Sequence, residues 1–225
     1  MIGGVSLITN RPIGVSGARS VPYRATGASL AVLIFALVCF AGVMLLHVLR
    51  GEIDPLRQVM SEYANGSHGL VMTMVFYGFG LASLALAFRL RRAITLSGVT
   101  RLFPFLLALA GLGLVVSGVF EVERALVPDT LEEVIHSDAS VVAFMLLIAS
   151  MFLFSLACRS DPRWWDFRWI SASLSVAGAL VATATPLSAG TGWSGAVQRL
   201  LGLTVLLWLI LTALHVRKRG FEQTS

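Results

Sequence analysis

Charge is what this chain has least of. Asp, Glu, Lys and Arg make up only 13% of its 225 residues, about half the share of a soluble globular domain, while 56% are hydrophobic and the mean hydropathy is +0.83. That balance excludes an ordinary water-soluble fold. There are only two cysteines, Cys39 inside one apolar run and Cys158 at the end of another, and neither is placed for an extracytoplasmic disulfide. Residues 1–24 hold Arg11, Arg19 and Arg24 but no apolar stretch followed by a small-residue cleavage site. No cleaved signal peptide is expected there, and the first apolar run serves as its own insertion signal. The HExxH and GxSxG patterns of metalloproteases and serine hydrolases do not occur.

What remains is a series of long apolar runs, at roughly 27–49, 69–89, 102–120, 138–158, 169–189 and 195–215. A span needs roughly 20 apolar residues, so the chain holds six and no second domain. The expected fold is all-α: a polytopic membrane protein whose six-transmembrane-helix bundle occupies residues 25–217, between an N-terminal segment 1–24 and a tail 218–225. With the N-terminus inside, thirteen of the seventeen basic residues fall on the cytoplasmic side and only Arg50, Arg57, Arg124 and Arg199 lie outside. This bias orients the chain in the cytoplasmic (inner) membrane with both termini in the cytoplasm. It also accounts for the net charge of +5 without a nucleic-acid partner, because the basic residues sit in short inter-span loops. Trp164, Trp165 and Trp169 fit the cytoplasmic aromatic belt and Trp193 the outer one.

The spans themselves are plain. No span centre carries a charge, which disfavours a small-solute permease with a midplane ionisable group. Small residues, among them Gly78, Gly80, Gly111, Gly113 and the Ser171, Ser175, Ala179 stripe, allow close helix approach.

The polar groups gather at the outer ends. After the first span, Asp54 is a good N-cap, Pro55 suits the first helical position and Asn65-Gly66 supplies a stop. Between them Leu56, Val59, Met60 and Tyr63 recur at helical spacing, so a short amphipathic interfacial helix is expected, with Ser67 capping a second helix that opens at His68. The third span ends in a Gly113, Ser117, Glu121 stripe on one face, where Arg124 can pair with Glu121. Thr130 and Glu133 form a capping box that starts a helix ahead of the fourth span, carrying Glu132, His136 and Ser140 on one face and Asp138 on another. The sixth span must take in Gln198 and Arg199 to be long enough. An arginine there snorkels, pairs with an acid such as Glu121 or Asp138, or binds an anionic ligand such as a phospholipid headgroup.

His47, His68 and His136 lie near the same face on different spans, and with nearby carboxylates they are the candidates for a zinc site, although no ligand-spaced motif supports one. No cofactor is assigned.

The run DPLRQVMSEYANGSHGLVM, with a glycine-bearing second span, a histidine opening the fourth and Gln198-Arg199 opening the sixth, resembles the six-span prokaryotic membrane proteins called the domain of unknown function 998 family. Its most specific part is the Ser61-Glu62-Tyr63 neighbourhood. The resemblance implies a six-helix fold over about residues 25–217 and lends no activity, substrate or cofactor.

The expectation is an outward-facing pocket lined by Ser61, Glu62, Tyr63, His68, Glu121, His136, Asp138, Gln198 and Arg199. It would bind a lipid headgroup or a membrane-protein partner. The alternative is a membrane-embedded hydrolase or transferase for a lipid or lipid-linked substrate, with Glu62 or His136 carrying the proton and Arg199 holding a phosphate.

Overall fold

The computed structural model of the chain describes residues 26–120 and 130–222. It contains six long helices: α1 Thr26–Leu49, α2 Gly69–Ala93, α3 Phe103–Val119, α4 Leu131–Arg159, α5 Phe167–Leu187 and α6 Ser194–Glu222. Together with the 3₁₀ turn Gly98–Leu102 that leads into α3, all six are long and apolar enough to cross a membrane, and no strand occurs among the described residues. In hydrocarbon every backbone N–H and C=O has to be satisfied within its own segment, which is why runs of Leu, Ala, Val and Phe with no competing polar caps become uninterrupted helices.

Each helix packs on its chain neighbours, and α6 returns to pack on α1 and touch α2, closing the ring. Short connections make consecutive helices antiparallel, so an even number of spans brings Thr26 and Glu222 to the same face. The tightest crossing is between α2 and α3. A Cβ built on Gly80 would lie 2.7 Å from the Gly111 carbonyl oxygen, and one on Gly111 would lie 2.7 Å from the Gly80 oxygen, so backbone meets backbone there. Between α4, α5 and α6, fully buried Trp208 donates its indole N–H to Ser171 Oγ (2.9 Å), and Ser171 donates to the Met151 carbonyl (2.8 Å). One serine of the small-residue stripe thus ties α4, α5 and α6 with every polar atom paired.

The end of the bundle opposite the α1–α2 connection is held by Asp161. Its buried carboxylate accepts from the Thr95 and Arg163 backbone N–H groups and from the Arg163 guanidinium (2.7 and 3.0 Å), while Arg163 Nη2 also donates to the Ala93 carbonyl. The Arg163 guanidinium is the main reason the Asp161 carboxyl is held below the usual range. Trp164 belongs to this structural end and not to an aromatic belt: it is 2% exposed, packed edge-on to Phe154 and against His215, whereas Trp165 and Trp169 are exposed as a belt requires.

Two local expectations at the other end need correcting. The segment after α1 is not one amphipathic helix. It is a turn over Asp54–Gln58, a break at extended Val59, and a separate 3₁₀ turn, Met60–Ala64. Ser67 does not cap α2: the position before the helix is His68, in the left-handed conformation (φ 66°), with no side-chain cap bond. The Thr130 cap is present as expected, its hydroxyl accepting from the Glu133 N–H at 3.3 Å, so α4 begins at Leu131, well ahead of its apolar run.

Candidate functional site

The collar, residues 51–68, is organised by an arginine that sequence reasoning treats as an orientation signal. Arg50, at the end of α1 and 8% exposed, turns its Nη1 back under the collar and donates to the carbonyls of Asn65 (2.6 Å), Ser67 (2.8 Å) and, more distantly, Tyr63 (3.4 Å). Its Nε pairs with Glu52, whose carboxyl is held low by that contact. The returning chain is therefore hung from the last turn of α1.

The break at Val59 has a tertiary cause. In a continuous helix the Leu56 carbonyl would accept from Met60 N–H and the Gln58 carbonyl from Glu62 N–H. Here α6 takes both carbonyls and the Met60 N–H. Ala196 N–H donates to the Leu56 carbonyl (3.0 Å), Met60 N–H donates to Gln198 Oε1, and Arg199 Nη1 donates to the Gln58 carbonyl (2.8 Å). Glu62 closes the gap locally: its carboxylate accepts from Val59 N–H and from Gln58 Nε2 (2.7 Å), while its own N–H turns to the Val59 carbonyl. Gly195 is where α6 meets the collar, and a Cβ there would collide with the Gln58 and Pro55 carbonyls.

Arg199 sits at the centre of this junction. Its Nε–H donates to His47 Nε2 (3.2 Å), and His47 Nδ1–H donates to the Val43 carbonyl (2.7 Å), which assigns the tautomer of the histidine. Nη1 serves the Gln58 and Gly195 carbonyls. The face of Tyr63, itself fully buried, lies 5.4 Å from the guanidinium carbon and 5.5 Å from the His47 ring. Every partner is neutral. Among the described residues Arg199 Nη2 is buried with no hydrogen-bond partner, the Tyr63 hydroxyl likewise, and no carboxylate forms an ion pair with Arg199.

Next to it lies a cavity of about 100 Å³ between α1 and α6, lined by apolar side chains such as Phe40, Met44 and Leu203 below Met60, His47 and Arg199. A second hollow of about 420 Å³, between α2, α3 and α4, is bordered by Ala64 and Gly66 of the collar, the start of α2, Ser117, Phe120 and His136. The two share no lining residue. His136 is 4% exposed; its Nδ1 lies 2.7 Å from the Ser117 carbonyl and 3.1 Å from that of Phe120, and Phe76 meets the ring edge-on. Two carbonyls at Nδ1 put the proton there, and Nε2 makes no hydrogen bond among the described residues.

The predicted residues thus fall into two groups and a remainder. Tyr63, Gln198, Arg199 and His47 come together around the collar, with Glu62 bracing its backbone. His136 stands apart in its own hollow. Ser61 is half-buried and its hydroxyl makes no hydrogen bond among the described residues, while His68 and Asp138 are exposed and not drawn into either group. Glu121, Glu123, Arg124 and Asp129 lie outside the described residues. The three histidines each have a different setting, and among the described residues no three His, Cys, Asp or Glu side chains gather as a metal site would need. Sequence reasoning missed Arg50, the Gln58 carbonyl and the α1/α6 cavity. Only Arg50 left a signal, as an arginine ending a span beside a run of turn residues.

Fold and site define a class: a six-span integral membrane protein with a polar collar over one end of the bundle. The family model described as Protein of unknown function (DUF998) matches residues 30–215, and the chain belongs to that family. No curated protein and no solved structure matches it.

Proposed function

We propose that this protein binds the anionic headgroup of a membrane lipid at the Arg199 junction, on the extracytoplasmic face of a cytoplasmic membrane with both termini inside. The observation that carries the reading is the state of the guanidinium. Of its five N–H donors, three are used on neutral acceptors, and the two on Nη2 are buried and have no partner among the described residues. A buried cationic N–H group without a partner is costly, and an anionic oxygen reaching Nη2 relieves that cost with a charge-assisted hydrogen bond. The concentration of basic residues at the other end supports the orientation.

The test is thermal stabilisation of the purified protein by phosphatidylglycerol against phosphatidylcholine of the same chains. Ligand that binds only the folded state raises stability by about 2.7 kcal/mol at a hundred times its Kd. The wild type is expected to be protected by the anionic lipid, and Arg199→Ala to lose that protection. Equal protection by both lipids in the wild type overturns the reading.

The His136 hollow favours a second reading, acid–base chemistry on a lipid-linked substrate. An imidazole oriented through Nδ1, with no hydrogen bond at Nε2 among the described residues, beside a space of about 420 Å³, is an arrangement that suits a general base. His136→Gln would then abolish turnover of a lipid-linked ester and leave headgroup protection unchanged; protection lost along with turnover would count against it.

A further inference from the structure

We infer that the α1/α6 cavity is an acyl-chain site, so that the ligand at Arg199 is a chain-bearing anionic amphiphile entering sideways from the bilayer. This rests on the headgroup reading and adds the ligand's apolar part.

Helix contacts around α1 set the cavity apart. Where α1 meets α2 there is no room: a Cβ on Gly78 would stand 2.7 Å from Cys39 Sγ, and one on Gly42 2.7 Å from Val75 Cγ2. Where α1 meets α6 there is a gap. A Cβ on Gly202 would find nothing nearer than Met60 Sδ at 3.9 Å, and the space beside it is about 100 Å³. Close-packed interiors do not leave apolar space of this size unfilled without losing contacts, and water does not stabilise a void that offers it few polar partners.

The chemistry is graded along the gap. Cys39, Phe40, Val43 and Met44 of α1 and Gly202, Leu203 and Leu206 of α6 form its walls, and its polar lining is His47 and Arg199. From Cys39 to His47 is eight residues, about 12 Å along a helix. Phe40, Met44 and Leu203 are 47%, 43% and 50% exposed, so these walls also face the surrounding hydrocarbon, and a chain can enter without crossing water. A cationic donor with no partner among the described residues at one end and an apolar trough leading away from it complement a lipid: anionic oxygen at the head, methylenes behind.

The occupant is therefore a membrane lipid rather than a free phosphate or a partner helix. A soluble anion leaves the trough empty, and a helix about 10 Å across does not fit a space of about 100 Å³.

The experiment uses the full chain in nanodiscs with phosphatidylglycerol or phosphatidylcholine carrying a diazirine in mid-chain. The wild type is expected to be labelled on the α1 segment Phe40–His47 and the α6 segment Gly202–Leu206, more by phosphatidylglycerol. The series Gly202→Ala, Gly202→Val and Gly202→Leu fills the trough by steps. Each displaced methylene is worth about a factor of four in affinity, so labelling falls along the series, by about tenfold or more at leucine. It falls for both lipids, with the preference for phosphatidylglycerol kept. Arg199→Gln does the reverse, abolishing the preference while the trough stays labelled.

Labelling that is indifferent to residue 202, or spread evenly over all lipid-facing helices, overturns the acyl-chain site even where phosphatidylglycerol remains preferred. Equal labelling by the two lipids in the wild type overturns the headgroup reading instead. Gly202→Ala adds a Cβ with no contact under 3.9 Å, so the series begins from a variant the fold accommodates.

Discussion

Arg50 holds the collar to the bundle, and removing it measures how much of the collar is a tertiary construction. Nη1 has two N–H groups and three carbonyls in range, so the short bonds to Asn65 (2.6 Å) and Ser67 (2.8 Å) carry most of the interaction and the 3.4 Å approach to Tyr63 adds little. Hydrogen bonds to a charged group are worth about 1.5–3 kcal/mol each, and the two together set the loss in Arg50→Ala at about 3 kcal/mol or more. The Glu52 partner is exposed and is left out of that sum. Because these bonds join the collar to α1 without contributing to the rest of the bundle, the loss falls on local opening. At 1.4 kcal/mol per factor of ten, 3 kcal/mol makes the open state about a hundredfold more populated. Hydrogen exchange read by mass spectrometry is the assay: the amides of Asn65–Val71, including Gly69 and Val71 with their short-range bonds to Gly66 and His68, are expected to exchange about a hundredfold faster. Arg50→Lys, with a compact ammonium that serves fewer carbonyls at once, falls between the two. Wild-type exchange in the collar of Arg50→Ala, or acceleration spread equally over all six helices, would refute the reasoning.

Two further perturbations test the bundle. Gly80→Ala and Gly111→Ala each force a methyl group onto a facing carbonyl and are expected to cost about 1–3 kcal/mol in detergent unfolding. The double variant should lose less than the sum, because once the α2–α3 crossing has opened the second methyl finds space. At the opposite end, the Asp161 carboxyl is held below its ordinary value chiefly by Arg163, so its contribution is present above the unfolded pKa of about 4 and lost as the pH falls through the lower folded value. The stability difference between wild type and Asp161→Asn is therefore expected to be constant near neutrality and to shrink below about pH 4.

The sequence by itself determined the class, the number of spans and most of their limits, because in a bilayer the backbone has no partner outside its own segment and apolar length alone dictates a helix. It also determined the Thr130 cap and the presence of Gln198 and Arg199 in the first turns of α6, both local matters. What the collar does was decided elsewhere. Leu56, Val59, Met60 and Tyr63 carry a sound helical pattern, yet Gln198 takes the Met60 N–H, Ala196 takes the Leu56 carbonyl and Arg199 takes the Gln58 carbonyl, and these three bonds replace the helix that the pattern describes. Charge pattern could not say whether Arg199 would meet an acid, because that depends on which residues far apart in the chain face one another when the ring of helices closes. Only the tertiary structure set His47, the Gln58 carbonyl and Tyr63 around it and left Nη2 with no partner among the described residues, beside a gap that exists because α6 and α1 close the ring less tightly than α2 and α3 cross within it.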